Sequence, residues 1–235
     1  MALPKLNTPT YELELPSTAE KIKYRPFLVK EQKVLMMAQD SGEDQQIAEA
    51  MGNLVSSCTF GKVDAETSPM FDLEYVFLKV RGKSVGETVQ LSLICPDDEK
   101  TTVPVNLKLD DIEVQMLDNH TNEINISESV KVVFRYPLLS TFTKYASKTN
   151  TTDMMFKLIE ECVEEVHYHD EVTNRVDMSE KDLSEFIDSL STEQFAKMGK
   201  FFETMPRLRH KIEVKNPKTE VTSEVLLEGI QSFLV

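Results

Sequence analysis

The sequence predicts an α+β protein in which β-hairpins and short antiparallel sheets pack with amphipathic helices. Two patterns predict this class. Several segments alternate polar and apolar residues on either side of a short turn sequence, which is typical of hairpin strands. Others carry apolar residues at three- and four-residue steps, which is typical of amphipathic helices. Hydrophobic residues make up 40% of the 235 residues, which is enough to build a core.

No long linker or low-complexity tract interrupts the chain, so we expect two closely packed halves that meet near residue 137. Residues 1–136 are predicted to form an N-terminal α+β region. Its predicted elements are a hairpin over residues 11–24, two helices separated at Ser41 and Gly42, a helix that opens at Ser68 and Pro69 and ends at Gly82, a hairpin of residues 89–95 with 101–109, and a strand pair of residues 112–116 with 124–134.

Residues 137–235 are predicted to form a helix-rich region that ends in a strand–turn segment. The predicted elements are helices over residues 138–146, 152–166, 180–190 and 193–204, a short hairpin over residues 166–176 that turns near Thr173 and Asn174, a strand over residues 208–214, a turn at residues 216–219, and an ending over residues 225–235 compatible with strand or short helix. Ser179 and Ser191 each have a partner three residues on, Asp182 and Gln194, which predicts two capping boxes.

Charge and cysteine usage exclude several classes of protein. The net charge of −14 repels a phosphate backbone, so we expect no nucleic-acid partner. Acidic residues crowd residues 160–171 and basic residues gather over 200–218, an asymmetry that suits heterotypic or head-to-tail contacts. Three cysteines at wide spacings fit a reducing compartment rather than a disulfide framework. With no apolar stretch of signal or membrane-spanning length, we expect no membrane partner.

One cluster offers metal or acid–base chemistry. His167, His169 and Asp170 follow Glu164 and Glu165, and strand alternation would place both histidines on one face, where they could chelate a divalent cation. The alternative is a solvent-facing strand edge beside an acidic helix end, and we favour it because the ligand set is incomplete.

A second metal hypothesis concerns two turns. Cys95-Pro96-Asp97-Asp98 and Asn216-Pro217-Lys218 both place proline at the mouth of a hairpin, where zinc ribbons carry pairs of cysteines. Only Cys95 is present of four thiol ligands, so we expect no zinc there.

The sequence also lacks the motifs of other kinds of catalytic site. The glycines stand alone, without a phosphate-binding loop, and there is no nucleophile elbow. Cys58 and Cys162 lack a plausible histidine partner. Cys162 also fits the helical spacing of the neighbouring apolar residues, which predicts a core position. We therefore expect neither catalytic residues nor a cofactor, and the protein is predicted not to be an enzyme.

A partner surface is the better hypothesis for the apolar residues near the end of the chain. The predicted contact residues are Phe195, Met198, Phe201, Phe202, Met205, Arg207 and Arg209. The aromatic and methionine stripe among them is denser than one modest helix usually needs. The methionines of the other helices, Met36 and Met37 included, suit core filling better than a partner groove.

The residues 2–13 (ALPKLNTPTYEL), 23–31 (KYRPFLVKE), 202–210 (FETMPRLRH) and 227–233 (LEGIQSF) resemble the T4-type phage baseplate hub and hub-assembly protein family. The resemblance spans essentially the whole chain. It implies a late protein that acts in assembly of the tail baseplate hub, as a virion component or as an assembly chaperone. Some relatives look as if they carry cysteine pairs at the two proline turns, whereas this chain has Asp98 and residues 216–219 there.

The resemblance implies other hub or tail proteins as partners, with the tape-measure protein as a further candidate, and leaves homo-oligomerisation open. The expected location is the host cytoplasm during assembly, and the tail baseplate if the protein stays in the virion. Two alternatives come from other classes. One is an acidic host-takeover protein that mimics DNA and binds a host nucleic-acid enzyme. The other is a metal-dependent hydrolase built on His167 and His169.

Overall fold

A computed structural model of the protein describes residues 7–145 and 151–233. Within these ranges it contains helices α1–α7 and strands β1–β11, and every strand pairing is antiparallel. The α+β class with short antiparallel sheets is therefore confirmed. Residues 2–6 of the first resemblance segment, Ala146 at the end of a predicted helix, and residues 234–235 lie outside the described ranges.

The chain divides into two compact units, and the division differs from the expected halves. The first unit combines Met1–Gln115 with Arg207–Val235, and the second is Met116–Pro206. The expected boundary at residues 136 and 137 falls inside the second unit. The reason is a long-range strand pairing, because β5 (Glu113–Gln115) bonds to β10 (Arg207–Lys215) and so brings the end of the chain into the first unit.

The strands of the first unit form three small sheets. They are the hairpin of β1 (Tyr11–Glu14) with β2 (Lys21–Tyr24), the hairpin of β3 (Thr88–Ile94) with β4 (Thr102–Lys108), and the sheet β11-β10-β5, in which β11 spans Thr222–Glu228. The hairpins predicted over residues 11–24 and 89–109 are confirmed. The predicted pairing of residues 112–116 with 124–134 is wrong, since β5 joins β10. The ending of the chain is strand β11 followed by a short 3-10 helix at Ile230–Phe233.

The helices of the first unit are α1 (Val29–Ser41), α2 (Asp44–Cys58) and α3 (Met70–Ser84). Gly42 ends α1 with a φ of 68°, the left-handed conformation that glycine adopts readily, so the predicted break is confirmed. Gly82 does not end α3. It is buried within the helix, and a Cβ there would lie 3.8 Å from Leu109, so this glycine marks close packing instead.

The second unit packs four helices with one sheet of strand order β6-β7-β8-β9. The strands are β6 (Glu123–Asn125), β7 (Val130–Phe134), β8 (Val163–Tyr168) and β9 (Glu171–Asn174), and the helices are α4 (Leu139–Tyr145), α5 (Thr151–Cys162), α6 (Glu180–Asp188) and α7 (Thr192–Thr204). Both capping boxes are confirmed. The Asp182 amide donates to Ser179 Oγ at 3.1 Å, and the Gln194 amide donates to Ser191 Oγ at 3.2 Å.

Two predicted boundaries in this unit are wrong. The helix predicted to reach Val166 stops at Cys162, because the chain from Val163 pairs with β7 and then also with β9. The hairpin predicted to turn near Thr173 and Asn174 turns at His169 and Asp170 instead. His169 accommodates that turn with a φ of 52°.

Candidate functional site

The predicted aromatic contact stripe lies on α7 and is largely core. Met198 and Phe201 are 0% exposed, and the Phe201 ring stacks on Phe134 with centroids 4.9 Å apart. Phe195, Phe202 and Met205 are partly buried against the same cluster. Met198 and Phe201 therefore cannot reach a partner in this structure. Partner contact by the three partly buried members stays a prediction.

The predicted contact residues Arg207 and Arg209 lie on β10 in the first unit, where both bind Glu228 of the adjacent strand β11. Arg209 Nε donates to Glu228 Oε2 at 2.6 Å, and Arg207 Nη1 pairs with Oε1. Burial raises the pKa of Glu228, but the hydrogen bonds from the two arginines outweigh it and hold the pKa below its ordinary value. Lys211 likewise lies 2.8 Å from Glu224, so three basic residues of this run are matched by acidic side chains of β11.

The acidic run is also paired within its own unit. Glu161 Oε1 lies 2.5 Å from Lys144 Nζ, and Glu160 Oε2 lies 2.5 Å from Lys157 Nζ. Glu165 Oε2 lies 2.7 Å from His167 Nε2. Charge asymmetry along the sequence therefore does not translate directly into two unpaired charged surfaces.

The two candidate metal-binding histidines are not placed as strand alternation predicted. His167 faces Glu165 on β8, whereas His169 lies in the turn beyond the strand, with its ring centroid 4.4 Å from that of Tyr168. Among residues 7–145 and 151–233, no group of three or more histidine, cysteine or carboxylate side chains is arranged to hold a metal ion.

The three thiols are buried and lie outside any disulfide. Burial raises the pKa of Cys58 to about 11 and that of Cys162 to about 12, so both stay protonated at neutral pH. The expected core position of Cys162 is confirmed, since it belongs to the buried cluster of the second unit.

The two proline turns meet through side-chain hydrogen bonds. Asn216 is 0% exposed, and its Nδ2 donates to both carboxylate oxygens of Asp97 at 3.1 and 3.0 Å. Thr219 Oγ1 donates to the same carboxylate at 2.5 Å. These bonds from Thr219 and Asn216 lower the pKa of Asp97. The proline at the mouth of each hairpin indicated from the sequence that the two turns are alike. Nothing in the sequence indicated that the turns contact each other.

An exposed apolar surface lies on α1, where sequence reasoning predicted core filling. Ala38 is the buried residue of this helix. The exposed apolar residues are Leu28 (40%), Val29 (80%), Val34 (53%), Met36 (55%) and Met37 (62%), and we call them the α1 surface. The signal was present in the sequence, because apolar residues occur on all sides of this helix rather than on one stripe. Such a concentration of exposed apolar side chains is typical of a contact site.

The segments that carry the family resemblance also build the structure. Arg25 Nη2 donates to Glu31 Oε1 at 3.0 Å, with the two side chains only 14% and 10% exposed. Arg207, Arg209 and Glu228 come from the other resembling segments and form the β10–β11 ion pairs. These residues therefore act as structural cross-links in the first unit.

Together these features define an α+β protein whose clustered polar side chains pair with partners inside their own unit. The family model described as T4 bacteriophage base plate protein matches residues 8–235, and the chain belongs to this family. It is a phage baseplate protein, and membership implies contacts with other baseplate proteins and a place in the virion tail. No curated protein and no solved structure matches the chain. Among the described residues, none of the helices combines the length and the hydropathy that a membrane span requires.

Proposed function

We propose that this baseplate protein acts in assembly of the tail baseplate hub, as a hub component or an assembly chaperone, through protein contacts and without catalysis. The observation that carries the proposal is the family match over residues 8–235. The hub-specific role rests on the resemblance of residues 23–31 and 202–210 to hub proteins. The α1 surface supplies an apolar contact area of the kind such a role needs.

The absence of catalysis is supported by what the candidate reactive groups do in the fold. The thiols of Cys58 and Cys162 have raised pKa values, which leaves little thiolate for nucleophilic attack. His167 is bonded to Glu165, and His169 lies apart from it in a turn. The paired arginines of the resembling segments bind carboxylates of their own unit.

A complementation experiment tests both parts of the proposal. A phage that lacks this gene is expected to accumulate heads and to fail to form complete baseplates, as seen by electron microscopy. Supplying the wild-type protein, or the variant His167→Ala/His169→Ala, is expected to restore infectious particles equally. Loss of function with the well-folded histidine variant would contradict the non-enzymatic role. Normal baseplates without the gene would contradict the assembly role.

We further propose that the partners are hub or tail proteins, with the tape-measure protein among the candidates, and that the protein is made late in infection. Assembly then takes place in the host cytoplasm. Quantitative mass spectrometry of mature particles distinguishes the two forms of the role. A fixed copy number in purified virions identifies a hub component, and its absence from virions with normal abundance in infected cells identifies a chaperone.

A further inference from the structure

The solvent face of α1 has an ordered arrangement of apolar and charged residues. Val29, Lys33, Met36, Met37 and Asp40 are all exposed, and they lie three or four residues apart except for the adjacent Met36 and Met37. By helix geometry they fall within an arc of about 100°, on the side opposite the buried Ala38. This stripe therefore faces away from the rest of the first unit.

The charges on this face are separated by sign. Lys33 lies in the N-terminal half of α1 and Asp40 near its C-terminal end, with Met36 and Met37 between them. The other cation of the helix, Lys30, lies 3.4 Å from Glu31 of the same chain. Among the residues that the structure describes, no ion pair within the chain involves Lys33 or Asp40. An apolar centre with a cation on one side and an anion on the other is complementary to itself in the antiparallel direction.

We propose that α1 pairs antiparallel with α1 of a second copy of this chain, across a twofold axis centred between Met36 and Met37. In that register Met36 of each copy packs on Met37 of the other. Lys33 then lies opposite Asp40, once on each side of the axis. Antiparallel pairing also aligns the two helix dipoles favourably, and a twofold interface requires this kind of self-complementary patch.

A second copy fits this face better than an unrelated partner. When the helix is turned end to end, its Lys33 meets Asp40 of the first copy, and its Asp40 meets Lys33. The extent of the contact predicts a reversible dimer. A helix of 13 residues is about 20 Å long, and one such helix pair lies at the low end of specific interfaces. The net charge of −14 per chain opposes close approach elsewhere on the surface, which also favours a reversible equilibrium.

Charge-swap variants of the full chain test the pairing by analytical ultracentrifugation over a range of concentrations. Lys33→Glu and Asp40→Lys each place like charges together across the axis, and each is expected to weaken dimerisation about tenfold. The double variant Lys33→Glu/Asp40→Lys restores opposite charges and is expected to recover the wild-type equilibrium. Lys62→Glu, at an exposed site outside α1, is the matched control and is expected to leave dimerisation unchanged.

Met37→Glu is expected to abolish the dimer while circular dichroism and the melting temperature stay close to wild type, because this side chain is 62% exposed. A wild-type chain that stays monomeric at every concentration would overturn the proposal, even if another baseplate protein bound α1. A dimer that is indifferent to Lys33→Glu, or that the double variant fails to recover, would overturn it as well.

Discussion

At the scale of single residues, Arg25 links three elements of the first unit. It follows β2, its guanidinium pairs with Glu31 of α1, and its backbone amide donates to the Cys58 carbonyl at the end of α2 at 2.9 Å. Glu31 is 10% exposed and also accepts from the Leu28 amide at 2.6 Å, which closes the start of α1. Removing one partner of such a pair leaves a desolvated charge.

Arg25→Ala is expected to lower the free energy of unfolding by about 1–3 kcal/mol, because the mostly buried Glu31 carboxylate loses Arg25 at 3.0 Å and keeps only the exposed Lys30 ammonium at 3.4 Å. Urea denaturation measures the change. Lys23→Ala is the control, since Lys23 and Glu12 are 70% and 66% exposed and 4.0 Å apart. Equal effects of the two substitutions would show that burial of the Arg25–Glu31 pair does not matter.

Asn216→Ala is expected to destabilise the protein by about 1 kcal/mol, because the buried Asn216 side chain no longer donates to the exposed Asp97 carboxylate and no longer accepts from the Lys218 amide. The same urea titration measures it. Asn106→Ala, at an exposed position of β4, is expected to change stability much less. Equal losses of unfolding free energy in Asn216→Ala and Asn106→Ala would contradict this expectation.

Glu74 provides a prediction about pH. Burial raises its pKa to about 7 from an ordinary value of 4.5, although the Ile230 amide donates to it at 3.0 Å. The unfolded chain releases this proton at lower pH than the folded chain does, so the stabilising contribution of the protonated form is complete below pH 4.5 and lost as the pH rises to about 7.

Glu74→Gln is therefore expected to be stabilised relative to wild type by about 1–3 kcal/mol at pH 8, with the difference shrinking toward pH 4.5. Melting temperatures of both proteins across this pH interval measure the difference in stability. The other carboxylates are the same in both proteins, so their contributions cancel. Glu66→Gln at an exposed site is the control. A difference that does not depend on pH would contradict this account of Glu74.

Among the elements, α7 and α1 differ most from what their sequences predicted. The sequence predicted a contact stripe on α7 and core residues on α1, whereas the stripe on α7 is largely core and the methionines of α1 are exposed. The dense stripe on α7 is needed inside the second unit because Phe201 packs against Phe134 and Tyr136. On α1, Met36 and Met37 remain exposed. Composition identifies apolar residues, but only the position of neighbouring elements decides which of them are covered.

Phe201→Ala is expected to cost about 3–5 kcal/mol of stability, because it opens a cavity in a closely packed core. Met37→Ala on α1 is expected to cost about 0.5 kcal/mol or less, as for an ordinary surface position. Thermal unfolding of both variants measures the contrast. A small effect at Phe201 would mean that α7 is not packed as the structure shows.

Local chemistry explains which elements were predictable from the sequence. The hairpins, the break at Gly42 and the serine caps depend on residues close together in the chain, so turn and capping patterns locate them. The end of α5 was not predictable, since Val163 and Val166 satisfy helical spacing and also suit a strand. Pairing with β7 and β9 decides in favour of strand β8.

At the scale of the whole molecule, the main feature that the sequence did not reveal is the discontinuous first unit. β5 is only Glu113–Gln115, too short for its pattern to specify a partner, and it pairs with β10 more than ninety residues later. For the candidate site, the residue types of the contact stripe were visible but their burial was not. The hydrogen bonds between Asp97 and Asn216 likewise depend on two distant turns being brought together.

We propose that this family member works through contacts with other baseplate proteins during hub assembly. Affinity purification of the tagged protein from infected cells, followed by quantitative mass spectrometry of the eluate, tests for these contacts. Hub or tape-measure proteins are expected to be enriched with the wild-type chain at roughly constant ratios to it. Enrichment of a host polymerase or nuclease alone, with no baseplate protein, would rule out the hub-assembly role.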